Sequence, residues 1–428
     1  MQQRRTQSLF AGAMAAGLIL AACGSDATKT ATTSAASTPA STAATSGTTA
    51  GSATTATSGT TGTTGTTGTT ATSAGGAPIT AGALKDICPA EIKIQTDWVP
   101  EAEHGFLYQM IGKGYTINST KASVTGPLMA GTVDTGVKIT VLSGGAATGF
   151  ASDTSLMYAD TSILLGFVYT DEAIQNSAKF PTVAIASGYN KNPQMIMWDP
   201  ATYPDVTGIK DLGTKKVKVR YFGGAAYMDY LTSTGILSKD QVDGSYKGDP
   251  SLFVADEGKS AQQGFGSAEP YLYEHEIPNW KKPVKYEYIN DIGWGNYAES
   301  IATIPSNITK YGDCFKKLVP IIQQSTIDYT KAPATANTVI LDAVAKFGAA
   351  FGWTYNQGAA DYAAATIAKD KLVANGPDGV MSKFDIARVN DLIAKAIPVY
   401  TAQDSPPKAG LKAEDIVTNQ FLDPKIGL

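Results

Sequence analysis

Residues 91–115 read EIKIQTDWVPEAEHGFLYQMIGKGY, and the fold turns on how this stretch is parsed. Ile92 and Ile94 alternate with polar residues, the two-residue period of a strand, so 91–97 is expected to be extended. Pro100 suits the first turn of a helix, and Glu101 and Glu103 suit its positive end. A helix is therefore expected across 101–112, with Phe106, Leu107, Met110 and Ile111 as its apolar stripe. Asp97 and Trp98 fall between the two elements. His104 and Tyr108 stand four residues apart and would share one helix face. An indole, an imidazole and a phenol at one corner suit a planar ligand with polar edges, stacked on Trp98 and read by His104 and a carboxylate. The competing expectation is structural: Trp98 plugs the gap between helix and sheet, and His104 is solvated.

Working outward, the alternation continues. GVKITVL (136–142), SILLGFV (162–168), TVAIAS (182–187), PQMIMWD (193–199), KVKVRYF (216–222), VKYEYI (284–289) and SIATIPS (300–306) read as strands. YTDEAIQNSAKF opens a helix at Asp171, and GGAAYMDYLTSTG is a glycine turn entering another. From Ser306 the pattern is helical, with amphipathic runs near 307–325, 335–350, 358–374 and 383–397. Such alternation predicts an α/β class with mostly parallel sheets. Ligands of such sheets bind beyond the carboxyl ends of the strands. The unusual residues gather at those ends: Asp97-Trp98, Gly144-Gly145, Thr170-Asp171 and Gly223-Gly224.

The flanking sequence sets the compartment. MQQRR followed by TQSLFAGAMAAGLILAAC is basic and then apolar, too short for a comfortable membrane span, and reads as a secretory signal over 1–22. Leu20-Ala21-Ala22-Cys23 resembles a bacterial lipobox, which makes Cys23 the expected lipidated residue; a plain signal with an unmodified Cys23 is the alternative. Residues 23–79 are almost entirely Ser, Thr, Ala and Gly. They have nothing to bury and predict a disordered tether with an r.m.s. span of roughly 40 Å. The rest of the chain suits two lobes. The formal charge of −4 falls by two if Arg4 and Arg5 leave with the signal, and Arg220 and Arg388 are then the only arginines. A mildly acidic, Arg-poor chain argues against nucleic acid or an anionic membrane surface as partner. Cys88 and Cys314 predict one disulfide tying the start of the fold to its later half.

Other constellations are weaker. FGGAAYMDYL puts bare backbone N–H groups of Gly223 and Gly224, with Tyr227, at a helix start, where they could receive an oxygen atom or serve only as a tight turn. GFGSAEPYLYEHE (264–276) gathers Glu269, Tyr271, Tyr273, Glu274, His275 and Glu276. Glu274-His275-Glu276 lacks the HExxH spacing of zinc proteases, and the cysteines lack CxxC spacing, so no metal is expected. No G-x-S-x-G or Cys–His arrangement supports nucleophilic catalysis, and no cofactor or enzyme activity is expected.

The stretch IKIQTDWVPEAEHGFLYQMIGKGY resembles the D-W-x-P-x-x-x-H-x-x-L-Y-x-A-x-x-K-G-Y opening of ABC-importer binding proteins for the pyrimidine precursor of thiamine, part of the nitrate/sulfonate/taurine group. TDEAI (170–174), GIKDLGTKKVKV (208–219) and GFGSAEPYLYE (264–274) look like later segments of that family. TINSTKASVTGPLMAGTVDT (116–135) departs from it as an insertion, and the C-terminal helices match least. The resemblance implies a two-lobed periplasmic-binding-protein-like fold of type II, with a cleft between lobes. Lobe 1 would take 80–192 and return over 300–428; lobe 2 would take 193–299. The hinge would lie near GYNKN (188–192) and SIATIPS. Asp97, Trp98 and His104 match residues near the family's ligand, and Glu269 and Tyr271 match its facing lobe. Tyr108, Thr170, Gly223, Gly224 and Tyr227 complete the expected contacts. The implied protein is a monomeric, lipid-anchored, extracytoplasmic solute-binding component that docks an ABC permease. Its solute would be a planar heterocycle such as the thiamine precursor or riboflavin. A nitrate/sulfonate/taurine-type anion binder and a non-transport surface lipoprotein are the alternatives.

Overall fold

The computed structural model describes residues 79–428. The signal-like segment 1–22, Cys23 and the tether up to residue 78 lie outside the described residues. No described helix is long and apolar enough to cross a membrane.

The first sheet grows from the quoted stretch. Glu91–Gln95 (β1) buries Ile92 and Ile94 completely. Thr116–Asn118 (β2), Ser123–Ala130 (β3), Val133–Leu142 (β4), Ile163–Val168 (β5) and Val183–Ala186 (β6) follow. The chain then crosses to a second sheet of Gln194–Trp198 (β7), Val219–Arg220 (β8), Val242–Asp243 (β9), Ala261–Phe265 (β10) and Lys285–Tyr288 (β11). It returns as Ser300–Thr303 (β12). The strand orders are β2-β3-β4-β1-β5-β12-β6 and β11-β7-β10-β8-β9.

Both sheets follow one plan once β2 and β3 are set aside. From one edge each runs second, first and third strand of its lobe, then the strand arriving from the other lobe, then the fourth. The arriving strand is antiparallel to both neighbours in each case: β12 to β5 and β6, β7 to β10 and β11. The remaining core pairings of β1 with β4 and β5, and of β8 with β9 and β10, are parallel. Two α/β lobes joined by two crossings make this the two-lobed, type II binding-protein arrangement.

Two local expectations, the mostly parallel sheets and the helix over 101–112, need correction, and the inserted segment gains a structure. The sheets are mixed, because each crossing delivers a strand from the opposite end. The segment 116–135 forms a β-meander at the sheet edge: β3 pairs with both β2 and β4, the latter through the two-residue turn Gly131-Thr132. The helix expected over 101–112 is a 3₁₀ turn, Ala102–His104, followed by a single α-turn, Gly105–Tyr108. Pairing with β3 ends it, since Met110 O accepts from Met129 N and Gly112 N donates to Pro127 O.

The C-terminal helices brace both lobes. Gly312–Lys331 packs on Gly105–Tyr108, and Ser325 Oγ donates to Phe106 O at 2.6 Å. A Cβ at Gly105 would meet the Tyr329 ring at 2.0 Å, so only glycine lets the two segments approach this closely. Cys88 and Cys314 form a disulfide across 226 residues of chain. Helix Gln357–Lys369 reaches the second lobe, with Tyr362 Oη donating to Gly266 O. Helix Ile386–Ala402 packs against Thr170–Asn176 of one lobe and Ala226–Ser233 of the other.

Candidate functional site: an acidic, aromatic cleft between the lobes

β1, β4 and β5 are parallel neighbours, so the loops at their carboxyl ends meet. Gly144 N donates to Trp98 O at 2.9 Å, and Thr96 Oγ1 donates to the same carbonyl. Gly145 adopts φ +57, and a Cβ there would lie 2.7 Å from the indole. The glycine pair thus seats Trp98 at the sheet's edge. Phe150 and Trp353 flank it, with ring centroids 5.8 and 6.3 Å away. From the other lobe, Phe222 and Tyr246 make an edge-to-face pair, and Gln263 Oε1 accepts from Phe222 N and Tyr227 Oη. Glu269 Oε2 accepts from Phe265 N at 2.7 Å. Trp98, Phe150, Trp353, Phe222, Tyr246, Gln263 and Glu269, with Asp97, Glu101, Glu103, Tyr169 and Gln194, line a cleft of about 400 Å³. A side cavity of about 310 Å³ shares Asp97 and Tyr169 and adds Gly224, Ala225 and Tyr227. A groove of about 550 Å³ lined by Met129, Pro320 and Phe421 lies away from the lobe junction.

The cleft is acidic throughout: no Lys or Arg is among its lining residues. Burial, and then the nearby Glu103, Asp97 and Glu269 carboxylates, hold Glu101 well above the usual range. Burial raises Glu103 to about 7, although the Ser267 hydroxyl it accepts from pulls it back. That bond joins the lobes, because Ser267 belongs to the second. Glu269 is likewise raised to about 7 by burial. Glu299 sits behind the wall, raised by burial and by Asp97 and Glu103, and shares a hydrogen bond with Glu103. These shifts mean the site releases protons reluctantly near neutral pH.

The structure sorts the expected residues. Asp97, Trp98 and Glu269 line the main cleft, and Gly224 and Tyr227 line its side cavity. His104 stands one layer behind, fully buried, with Nε2 3.2 Å from Asp97 Oδ1 and its ring against Phe167. Four expected contacts face elsewhere. Tyr108 is in the core, because the short helical turn points it away from the cleft. Thr170 Oγ1 accepts from Tyr297 N and serves the crossing. Gly223 packs on Gly244, where a Cβ would meet its carbonyl at 2.9 Å. Tyr271 turns outward onto Tyr362 and His275, so it joins the second lobe to the C-terminal helices. Glu274, His275 and Glu276 are exposed and stand outside the cleft, where Glu276 Oε1 accepts from Asn356 Nδ2 at 3.0 Å. Sequence reasoning missed Phe150, Phe222, Tyr246, Trp353 and Glu299. Trp353 in GWTYN carried a visible aromatic signal, whereas Glu299 had none.

The two crossings are wired together. Tyr189 N donates to Ala298 O, and Asn192 Nδ2 to Asn296 Oδ1. Asp171 accepts from Trp294 Nε1 and Asn296 Nδ2. Arg388 donates to Asn190 O, Gly295 O, Asn296 O and Asn290 Oδ1, and its guanidinium lies 4.0 Å from the Tyr297 ring centroid.

No family model and no curated protein matches the chain. Solved structures do. The alkanesulfonate-binding protein of Xanthomonas axonopodis pv. citri bound to MOPS aligns at 13% identity and TM-score 0.47, over 77% of this chain and 99% of its own. A Candida albicans protein described as having the generic periplasmic binding protein fold aligns at 15% and 0.44, over 78% and 98%. The nitrate-binding protein of Synechocystis aligns at 12% and 0.40, over 63% and 72%. At such identities and scores the fold assignment rests on the chain's own two sheets, their common strand plan and the two crossings.

Proposed function

We propose that the chain is an extracytoplasmic solute-binding component of an ABC importer, held at the membrane through Cys23, that closes on a small planar solute rich in hydrogen-bond donors. One observation carries the reading: Trp98 of the first lobe and Phe222 and Tyr246 of the second line a single cleft whose polar side chains are carboxyls, amides and two phenols, with no cationic group among them. Flat rings stack between such faces, and carboxyl oxygens take up ring N–H and amino groups. Only a solute that touches both lobes can stabilise their closed arrangement.

The second reading is a small anion, the solute class named for the sulfonate and nitrate binders above. It is supported by the raised Glu269, which below about pH 7 carries a proton it could donate. Without lining Lys or Arg, a sulfonate would depend on such neutral donors.

The test is to purify the chain, denature it, and identify what is released by absorbance and mass. A heterocycle that Trp98→Ala and Tyr246→Ala each release or weaken at least about tenfold supports the first reading. Calorimetric binding of taurine or nitrate, strengthening as pH falls, supports the second. Neither solute class bound, with no ligand-dependent compaction in scattering, removes the transport assignment and leaves the surface-lipoprotein alternative.

A further inference from the structure

Behind the cleft wall, three side chains from separate segments converge. Asp97 follows β1, His104 ends the turn Ala102–His104, and Glu299 closes the second crossing just before β12. One donor atom of each lies within 4.8 Å of the other two. His104 is fully buried and its Nδ1 has no hydrogen-bond partner; Glu299 is 1% exposed and its Oε2 has none either. Buried polar atoms are ordinarily paired, so the orphaned Glu299 oxygen calls for a missing partner, while His104 turns its Nε2, not the orphaned Nδ1, toward Asp97 at 3.2 Å.

We propose that Asp97, His104 and Glu299 hold one divalent first-row transition-metal ion of the Zn²⁺ or Mn²⁺ type. One imidazole with two carboxylates is a donor set for such ions, whereas Ca²⁺ and Mg²⁺ take oxygen donors. Two carboxylates balance the ion's charge, and the ion in turn offsets the cost of keeping them away from water. Donors around such an ion stand about 3–4 Å apart, given bond lengths near 2.1 Å, so small side-chain rotations close the set. Asp97 also lines the cleft, which supplies a route in. Three protein donors leave a coordination position for water. The expectation of no metal came from Glu274-His275-Glu276 and the cysteines, none of which belongs to this set. The site does not depend on the identity of the solute.

The test uses the full chain, without an affinity tag, stripped by chelator and titrated with Zn²⁺ or Mn²⁺ alone. One equivalent should bind. Affinity should fall more than about a hundredfold in Glu299→Gln, beyond the loss outer-shell partners cause. The chain has one other histidine, so His275→Ala is the control and should bind normally. Cobalt substitution gives a second readout: His104→Gln should shift or abolish the Co²⁺ visible bands, with circular dichroism confirming the fold. Stoichiometric binding unchanged by Glu299→Gln, loss of binding in His275→Ala, or no binding at all would overturn the site. Ion binding is measured without solute, so failure here leaves the transport reading standing, and the reverse also holds.

Discussion

The Trp98 indole reaches the cleft because Gly145 leaves it room. Gly145→Val places a branched side chain at φ +57 and against the indole, so it should weaken solute binding about as much as Trp98→Ala. Calorimetry on both variants checks this, and unaffected binding in Gly145→Val would detach the glycine from the site. Glu269 sets a pH dependence. Burial raises its carboxyl to about 7, so the folded state favours the neutral form. Its contribution to stability is therefore complete below the unfolded value near 4.5 and is lost as pH rises through about 7. Thermal melts should show the parent losing several degrees between pH 5 and 8, and Glu269→Gln losing less. Glu101 and Glu103 feel the same charge, are raised by burial as well, and contribute to the residual slope; Tyr246 and Tyr273 feel it too but stay protonated throughout this range.

At the scale of elements, the crossings and the helix that pins them matter most. Asp385 caps Ile386–Ala402 by accepting from Ala387 N and Arg388 N. Asp385→Ala should cost about 1 kcal/mol, read as a shift of the denaturant midpoint at unchanged slope. Arg388, in the first turn of that helix, satisfies three backbone carbonyls on the two crossings. Arg388→Met orphans them, at about 1–3 kcal/mol for each that stays buried. The larger effect should be on the hinge: scattering of the solute-free variant should show a wider spread of lobe separations than the parent. An unchanged profile would reassign Arg388 to plain stability. Most strand positions were readable, because Ile92 and Ile94, or the wholly apolar β5, announce their period and burial locally. β8 was read within KVKVRYF, although VR is all of it that forms the strand, whereas β9 and β10 were missed. VR and VD are too short to show a period, and AQQGF carries two glutamines that only their partners explain. The helix at 101–112 was overcalled because its local signals were sound, and a strand from residues 123–130 competed for its last turn.

For the whole molecule, the Cys88–Cys314 link closes a loop of 226 residues. In the chain-entropy model such a loop is worth up to about 5 kcal/mol, so Cys88→Ser with Cys314→Ser should unfold at a markedly lower denaturant midpoint. The C-terminal helices touch both lobes and brace one against the other. The amino-acid sequence alone determined the α/β class and the two-lobed fold, and it pointed to the strand-end loops as the proposed place for a ligand. Hydrophobic period and glycine placement are local properties, and the carboxyl ends of parallel strands collect function by geometry. Only the tertiary structure decided which side chains face the cleft. It sent Tyr108 to the core and Tyr271 to a brace, and it brought Phe222, Tyr246, Trp353 and Glu299 to the site. Orientation and convergence depend on packing between segments hundreds of residues apart, and no local spacing encodes them.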